Sequence, residues 1–324
     1  NGTLVPGTGN RYNGLLRPGD VPDNQAADVP NADSPAVQSI PIADSRGIYE
    51  PQHLLMPRFS FAWSPGGDGK TSVRGGVGLY YDRPEGNLYF GLPNNPPFAL
   101  SASYENGNLA NPGGAAVPAL APWGSMQSVS TGFKIPRSWN WSMSLQRELP
   151  WWGLFGEIAY VGSDGSNLMR RPDINLPSFA DREANAAGPK YNTNYLRPYK
   201  GYADIQMGLS DASSSYNAAQ VFLSKRRGDL NFTLNYTLGR SYDNGSGNFD
   251  NPADGPEDID YYWGPSDFYR THIFVGTWSY RLPFLKDNRG VLGQVLGGWE
   301  ISGITRYQTG APLTVTGPTS IGGR

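Results

Sequence analysis

Side-chain chemistry in this chain has little to work with. The 324 residues include two histidines, His53 and His272, and no cysteine. A histidine-based triad would have to use one of these two, an HExxH metal helix is impossible, and no GxSxG elbow occurs. Thiolate metal sites and disulfide frameworks are excluded with the cysteines. His272, in the run from Arg270 to His272, is expected at the external rim of a strand. Gly75, Gly76 and Gly78 fall inside a β-patterned stretch and do not precede a helix. Strand glycines that allow bending therefore account for them better than a phosphate cradle does. The one oxygen-rich cluster is the stretch from Asp243 to Asp260, with Asp250, Asp254, Glu257 and Asp258 between. Counted from Asp250, Asp254 and Gly255 keep the fifth and sixth places of a calcium loop, but Pro252 and Tyr261 occupy the third and twelfth. Two readings stand: a solvated acidic loop, and a loop-ordering calcium ion held by Asp250, Asp254, Asp258 and Asp260. No other cofactor is expected, and no enzyme activity.

The elements that would carry these residues read as strands. Glycine and proline supply 42 and 28 residues while charged residues are 17%, which disfavours a helical bundle. With 26 basic against 28 acidic side chains there is no basic patch to bind nucleic acid. No apolar run reaches the roughly 18 residues of a membrane helix, so a membrane role requires a closed β-barrel.

Two stretches alternate strictly. In 137–148, Trp139, Trp141, Met143 and Leu145 alternate with Asn140, Ser142, Ser144 and Gln146. In 230–239, Phe232, Leu234, Tyr236 and Leu238 alternate with Asn231, Thr233, Asn235 and Thr237. An uncharged amide and hydroxyl face suits a hydrated barrel lumen, and the apolar set suits lipid. Further strands are predicted at 58–64, 70–82, 153–163, 214–226, 268–282 and 298–309. Short links fall at 65–69, 150–152 and 227–228, with a longer one at 283–297. Long links fall at 83–136, 164–213 and 243–267, the asymmetry of an outer-membrane barrel whose short turns are periplasmic. Trp63, Trp151, Trp152, Trp278, Tyr280 and Trp299 sit beside the short turns. Tyr80, Tyr81, Trp139, Trp141, Tyr160, Tyr216, Tyr242, Tyr269 and Tyr307 sit toward the long loops, so two aromatic girdles are expected around an aliphatic band.

Five segments then carry a resemblance: PRFSFAWSPGGDGKTSVRGGVGLYYDR from Pro57, IPRSWNWSMSLQREL from Ile135, SYNAAQVFLSKR from Ser215, SDFYRTHIFVGTWSYRLP from Ser266, and GGWEISGITRYQTGAPLTV from Gly297. In this order they resemble the TonB-dependent outer-membrane receptors, specifically the Oar-like group, over about 52–316. The resemblance implies an all-β fold: an antiparallel transmembrane β-barrel of about 22 strands, of which this chain supplies about eight, filled by a plug and driven by the TonB complex of the inner membrane. Residues 1–51 are expected to form an extracellular loop or extension, and 52–324 the barrel segment. Asn1 to Asn10 lacks the marks of a signal peptide, and neither plug nor TonB box is seen. Residues after Thr309 read as another external loop, and the strands at 58–64 and 298–309 are expected not to pair.

The function that follows is binding and import of a substrate across the bacterial outer membrane, with outer-membrane lipid and, through the plug, the TonB complex as partners. Candidate substrate contacts are aromatics of the long loops: Tyr89, Phe90, Phe98, Tyr104, Trp123, Tyr191, Tyr195, Tyr261, Tyr262 and Trp263. Three alternatives remain: a structural or adhesive surface barrel, an outer-membrane hydrolase, and a secreted β-sandwich lectin.

Overall fold

The computed structural model describes residues 35–42, 52–95, 125–188, 190–247, 259–284 and 290–313. Among them no helix is long and apolar enough to cross a membrane. Ten strands form one sheet: β1 (Arg58–Trp63), β2 (Thr71–Tyr81), β3 (Met126–Val129), β4 (Arg137–Glu148), β5 (Leu154–Arg170), β6 (Ile205–Lys225), β7 (Leu230–Asp243), β8 (Gly264–Pro265), β9 (His272–Arg281) and β10 (Glu300–Gln308). The path runs β1-β2-β4-β5-β6-β7-β9-β10, every neighbouring pair antiparallel, with β3 and β8 attached to β6 and β7. Among the described residues, short α-helices are α1 (Pro35–Gln38), ahead of the first strand, and α2 (Phe179–Ala187), α3 (Thr193–Leu196) and α4 (Val291–Leu296) in the links.

The register settles which side chains share a face. One row of register partners passes through Trp63, Val73, Leu145, Ile158, Val221, Tyr236, Phe274 and Tyr307. The parallel row beside it holds Ala62, Arg74, Ser144, Ala159, Gln220, Thr237, Ile273 and Gln308. Because neighbours in a row point the same way, the apolar sets of β4 and β7 lie on one face and their Asn, Ser and Thr sets on the other. Large apolar side chains stay open to the surroundings on the first face: Phe59, Trp63, Met143, Ile158 and Tyr307 are all exposed. A soluble sheet would cover them; a sheet in lipid presents them outward. The tilt agrees. Trp63 ends β1 at the short-turn end, whereas Tyr307 stands next to the far end of β10. The row therefore climbs by close to one residue per strand, and with a rise of about 3.3 Å against a strand spacing of about 4.8 Å the strands slope by about 35°.

Some expectations change. Tyr80 pairs with Ser138, and Tyr216 with Ser163 and Ser241, so both rings belong to the inner, polar face and leave the outer girdle. Only one of the adjacent Tyr80 and Tyr81 can face lipid. Gly75 of β2 and Gly162 of β5 also acquire a different reason: a Cβ on Gly75 would meet the Phe61 ring at 2.6 Å, and one on Gly162 would meet the Trp141 indole at 2.3 Å. Outward aromatic rings lie across neighbouring glycines, which serves close approach more than bending. Beyond residue 163, β5 continues to Arg170, and β6 begins at Ile205. No pairing joins β1 to β10 among the described residues; they are the two ends of the sheet.

Candidate functional site

At the long-loop end the inner face closes on a hydroxyl-rich row: Tyr80, Ser138, Gly165, Ser214, Asp243 and Gly264 are successive partners across β2, β4, β5, β6, β7 and β8. Above it opens a cleft of about 490 Å³, lined by Tyr80, Asp82, Arg83, Ser138, Ser214, Asp243, Ser246 and Phe268 among others. Its walls are held by short polar contacts. Ser246 Oγ donates to Asp243 Oδ1 at 2.8 Å and accepts from the Asp267 amide at 3.1 Å. The Asn244 side chain, nearly fully buried, accepts from the Ser213 amide at 2.7 Å and so fixes the exit of β7 against β6. The Arg58 guanidinium lies 4.4 Å above the Tyr80 ring, a cation–π contact that leaves the other side of the ring to the lumen. Carboxylates, hydroxyls and aromatic rims together can hydrogen-bond and stack on a polar solute.

A second cleft, of about 520 Å³, sits at the short-turn end of the sheet. Glu148, Phe155, Phe222, Ser224, Arg226 and Arg227 line it, with Phe155 and Phe222 edge to face at 6.1 Å. Each end of the inner face thus carries a cleft of mixed apolar and charged lining, with Asp82, Arg83 and Asp243 outside and Glu148, Arg226 and Arg227 at the periplasmic end.

Beside the outer cleft the long links fold into a wall of their own. β3 pairs in parallel with β6. Leu88, Val129 and Phe133 form a small core, joined by Tyr89, Leu92 and Met169, and Met126 packs with Tyr202. Arg170, fully buried, makes a bidentate ion pair with Asp211 at 2.6 and 2.7 Å, tying the outer end of β5 to β6. Buried Asn175 donates to the carbonyls of Tyr199, Tyr202 and Ala203 and accepts from the Tyr199 amide at 2.7 Å.

The predicted contact residues are spread over this wall. Tyr89 packs into its core, and Phe90 is exposed. Tyr191 and Tyr195 stack at 5.0 Å. Tyr261 meets Tyr262 at 5.5 Å, and Trp263 stacks on Tyr242 at 6.5 Å. The described ones are not gathered into one site, and none of these lines either cleft. Phe98, Tyr104 and Trp123 lie outside the described residues, as do Asp250, Asp254 and Asp258 of the calcium reading. Asp260 is described, in a single turn at Ile259–Tyr262. Among the described residues no three His, Asp or Glu side chains gather around a common point. His272 begins β9 at the outer end, as its place in the run suggests, and its Nδ1 shares a 2.8 Å hydrogen bond with Tyr236 Oη on the outward face. Of the cleft residues, Tyr80 is expected in the outer girdle and Asp243 in the oxygen-rich stretch, and Asp82, Ser138, Ser214 and Ser246 carry no predicted site role. Parity counted from the alternating runs would have marked Ser138, while the others need the register.

A family model described as an outer membrane beta barrel domain matches residues 4–323. Among solved structures, the chain resembles the outer membrane transporter YddB from Escherichia coli at 12% identity, covering 71% of this chain and 27% of that one, with a TM-score of 0.49. The siderophore receptor PirA from Acinetobacter baumannii matches at 13% identity over 78% of this chain and 33% of its own, with a TM-score of 0.40. The FrpB iron transporter from Neisseria meningitidis (F3-3 variant) matches at 10% identity, 71% and 24%, with a TM-score of 0.39. The chain therefore spans about a quarter to a third of the length of these structures. No curated protein matches it.

Proposed function

This chain belongs to the outer membrane beta barrel domain family and resides in the bacterial outer membrane, and on that premise we propose that it is part of the wall of a TonB-dependent transport barrel that captures a polar solute at its outer cleft and passes it inward. The observation that carries this reading is the open arc: a tilted eight-strand path whose end strands, β1 and β10, do not pair with each other. In lipid an unpaired strand edge costs several kcal/mol per backbone group, so the arc calls for further strands to complete a wider barrel. A barrel wide enough to need them encloses a lumen, and one row of the inner face of this segment carries Arg74, Ser144, Gln220, Thr237 and Gln308. Residues 52–324 supply wall and outer loops; residues 1–51 extend outside. The solute first meets Tyr80, Asp243, Ser214 and Ser246, with the aromatics of the outer loops as a wider rim, and energy reaches the lumen from the inner membrane through a plug. A loop-ordering calcium ion at Asp250, Asp254, Asp258 and Asp260 fits this picture as an outer-wall device.

A second reading, a surface barrel that adheres and does not transport, draws on the independently packed outer wall around Leu88, Val129 and Phe133. Deleting the gene and testing growth on single limiting nutrients separates the two. Transport predicts a growth defect on at least one nutrient that is reproduced by deleting TonB and that Asp243→Ala fails to rescue. Growth equal to the parent on every nutrient, with loss of surface attachment instead, would favour adhesion.

A further inference from the structure

Three links at the short-turn end are tight, but the fourth, between β9 and β10, contains α4 (Val291–Leu296). At 100° per residue, Val291, Leu292, Val295 and Leu296 occupy one side of this helix over an arc of about 140°, and Gly293 and Gln294 the other. The four aliphatic side chains are between 51% and 77% exposed, and no residue of the helix is buried. Trp299 follows, also exposed, and its indole Nε1 donates to the Val295 carbonyl at 3.0 Å. The Leu282 amide donates to the Trp299 carbonyl at 2.9 Å, continuing the β9/β10 ladder by one pair. Trp299 therefore has the parity of Ile301, Gly303 and Tyr307, on the face turned to lipid. The Trp299–Val295 hydrogen bond thus ties α4 to a side chain on that face at its periplasmic rim.

We propose that α4 is an interfacial anchor, lying in the inner-leaflet boundary of the outer membrane with Val291, Leu292, Val295 and Leu296 among the phospholipid acyl chains and the Trp299 indole at headgroup level. A helix of six residues between Gly290 and Gly297 is too short to persist in water by itself, and an apolar phase on one side supplies what the sequence does not. The stretch from Gly290 to Trp299 carries no charged side chain, which matches an acyl-chain boundary better than a polar protein surface. The β4/β5 turn exposes Trp151 and Trp152 but no helix, so among the described periplasmic links the one between β9 and β10 presents an aliphatic helical face.

Because the chain has no cysteine, single thiols placed in it report without background. The intact protein is reconstituted in phosphatidylethanolamine and phosphatidylglycerol vesicles with the periplasmic side outward, and Leu292→Cys, Val295→Cys and Gln294→Cys are compared. Folding of each is checked by heat-modifiable migration, and the two apolar positions back each other should one variant fail to fold. Leu292→Cys or Val295→Cys is expected to react with a water-soluble maleimide at least about tenfold more slowly than Gln294→Cys. A fluorophore coupled there in detergent before reconstitution is expected to be quenched by lipids carrying a nitroxide on the acyl chain. Equal reactivity at the three positions would overturn the proposal. Protection without lipid quenching would overturn it too, since it would place a protein on this surface.

Discussion

Between β4 and β5 the chain turns at the periplasmic end through Leu149 to Gly153, with Trp152 at φ 57° and Gly153 at φ 63° making the reversal. At its other end the same β5 runs on to Arg170, well past the membrane, and meets a β6 of 21 residues together with β3, a buried ion pair and two small apolar cores. The contrast shows where this protein keeps its interior. Nearly all fully buried side chains, Arg170, Tyr202, Phe133, Leu88 and Asn175 among them, belong to the outer wall, and the membrane-crossing part buries almost none. In the membrane, lipid replaces the core on one face and lumen water on the other, so backbone ladders carry the structure. Outside it, loops must build a conventional core with satisfied polar groups.

The sharpest way to test that division is to break the outer wall and leave the barrel alone. Asp211→Ala removes the carboxylate from fully buried Arg170, and the loss is expected to be about 3 kcal/mol, confined to the outer wall. Hydrogen exchange should rise over 164–213 while the heat-modifiable migration of the barrel stays as in the parent. A loss of both together would mean that wall and barrel fold as one unit.

The opposite test targets the faces of the wall in lipid. Ile158→Arg places a charge on the outward row, in the middle of the membrane part of β5, and is expected to cost about 2–4 kcal/mol in urea-dependent folding into bilayers. Ala159→Arg, one residue away on the inner row beside Gln220, should change stability by less than about 1 kcal/mol. Equal costs would say that both faces see the same medium, and would undo the assignment of the two rows.

What the sequence revealed divides along the same line. Membrane strands are legible because two different media select alternate residues, and Trp139 to Leu145 or Phe232 to Leu238 can be placed by period alone. The outer continuations SDGSNLMR of β5 and IQMGLSDASS of β6 lose that alternation, since both of their faces meet protein or water. They read as loop. Arg170 and Asp211 lie 41 residues apart, and no local pattern pairs them. The outer cleft is hidden for a related reason: Tyr80, Ser214 and Asp243 are brought together by four successive ladders, and a shift of one residue in any would turn part of the set to lipid. Aromatic richness marks the loop tips instead, where Tyr191 meets Tyr195 and Tyr261 meets Tyr262.

The smallest effect concerns the tight turns, where backbone conformation has no core to support it. Gly228, at φ +91°, reverses the chain between β6 and β7 with the Lys225 ammonium donating to the Arg227 carbonyl at 2.7 Å and the Leu230 carbonyl at 2.9 Å. A Cβ there would have 3.3 Å to Lys225 Nζ, the end of a flexible side chain, so space does not forbid it. The cost is conformational: an L-residue held at positive φ loses about 1 kcal/mol, so Gly228→Ala is expected to lower the bilayer-folding stability by that amount and no more. If the loss is several times larger, the turn also sets the β6/β7 register, which should then show as altered exposure of Thr233 and Leu234 to water-soluble and lipid-borne probes. If there is no loss, the turn relaxes to another form, and the ladder from Lys225 and Phe232 upward is enough to hold the hairpin by itself.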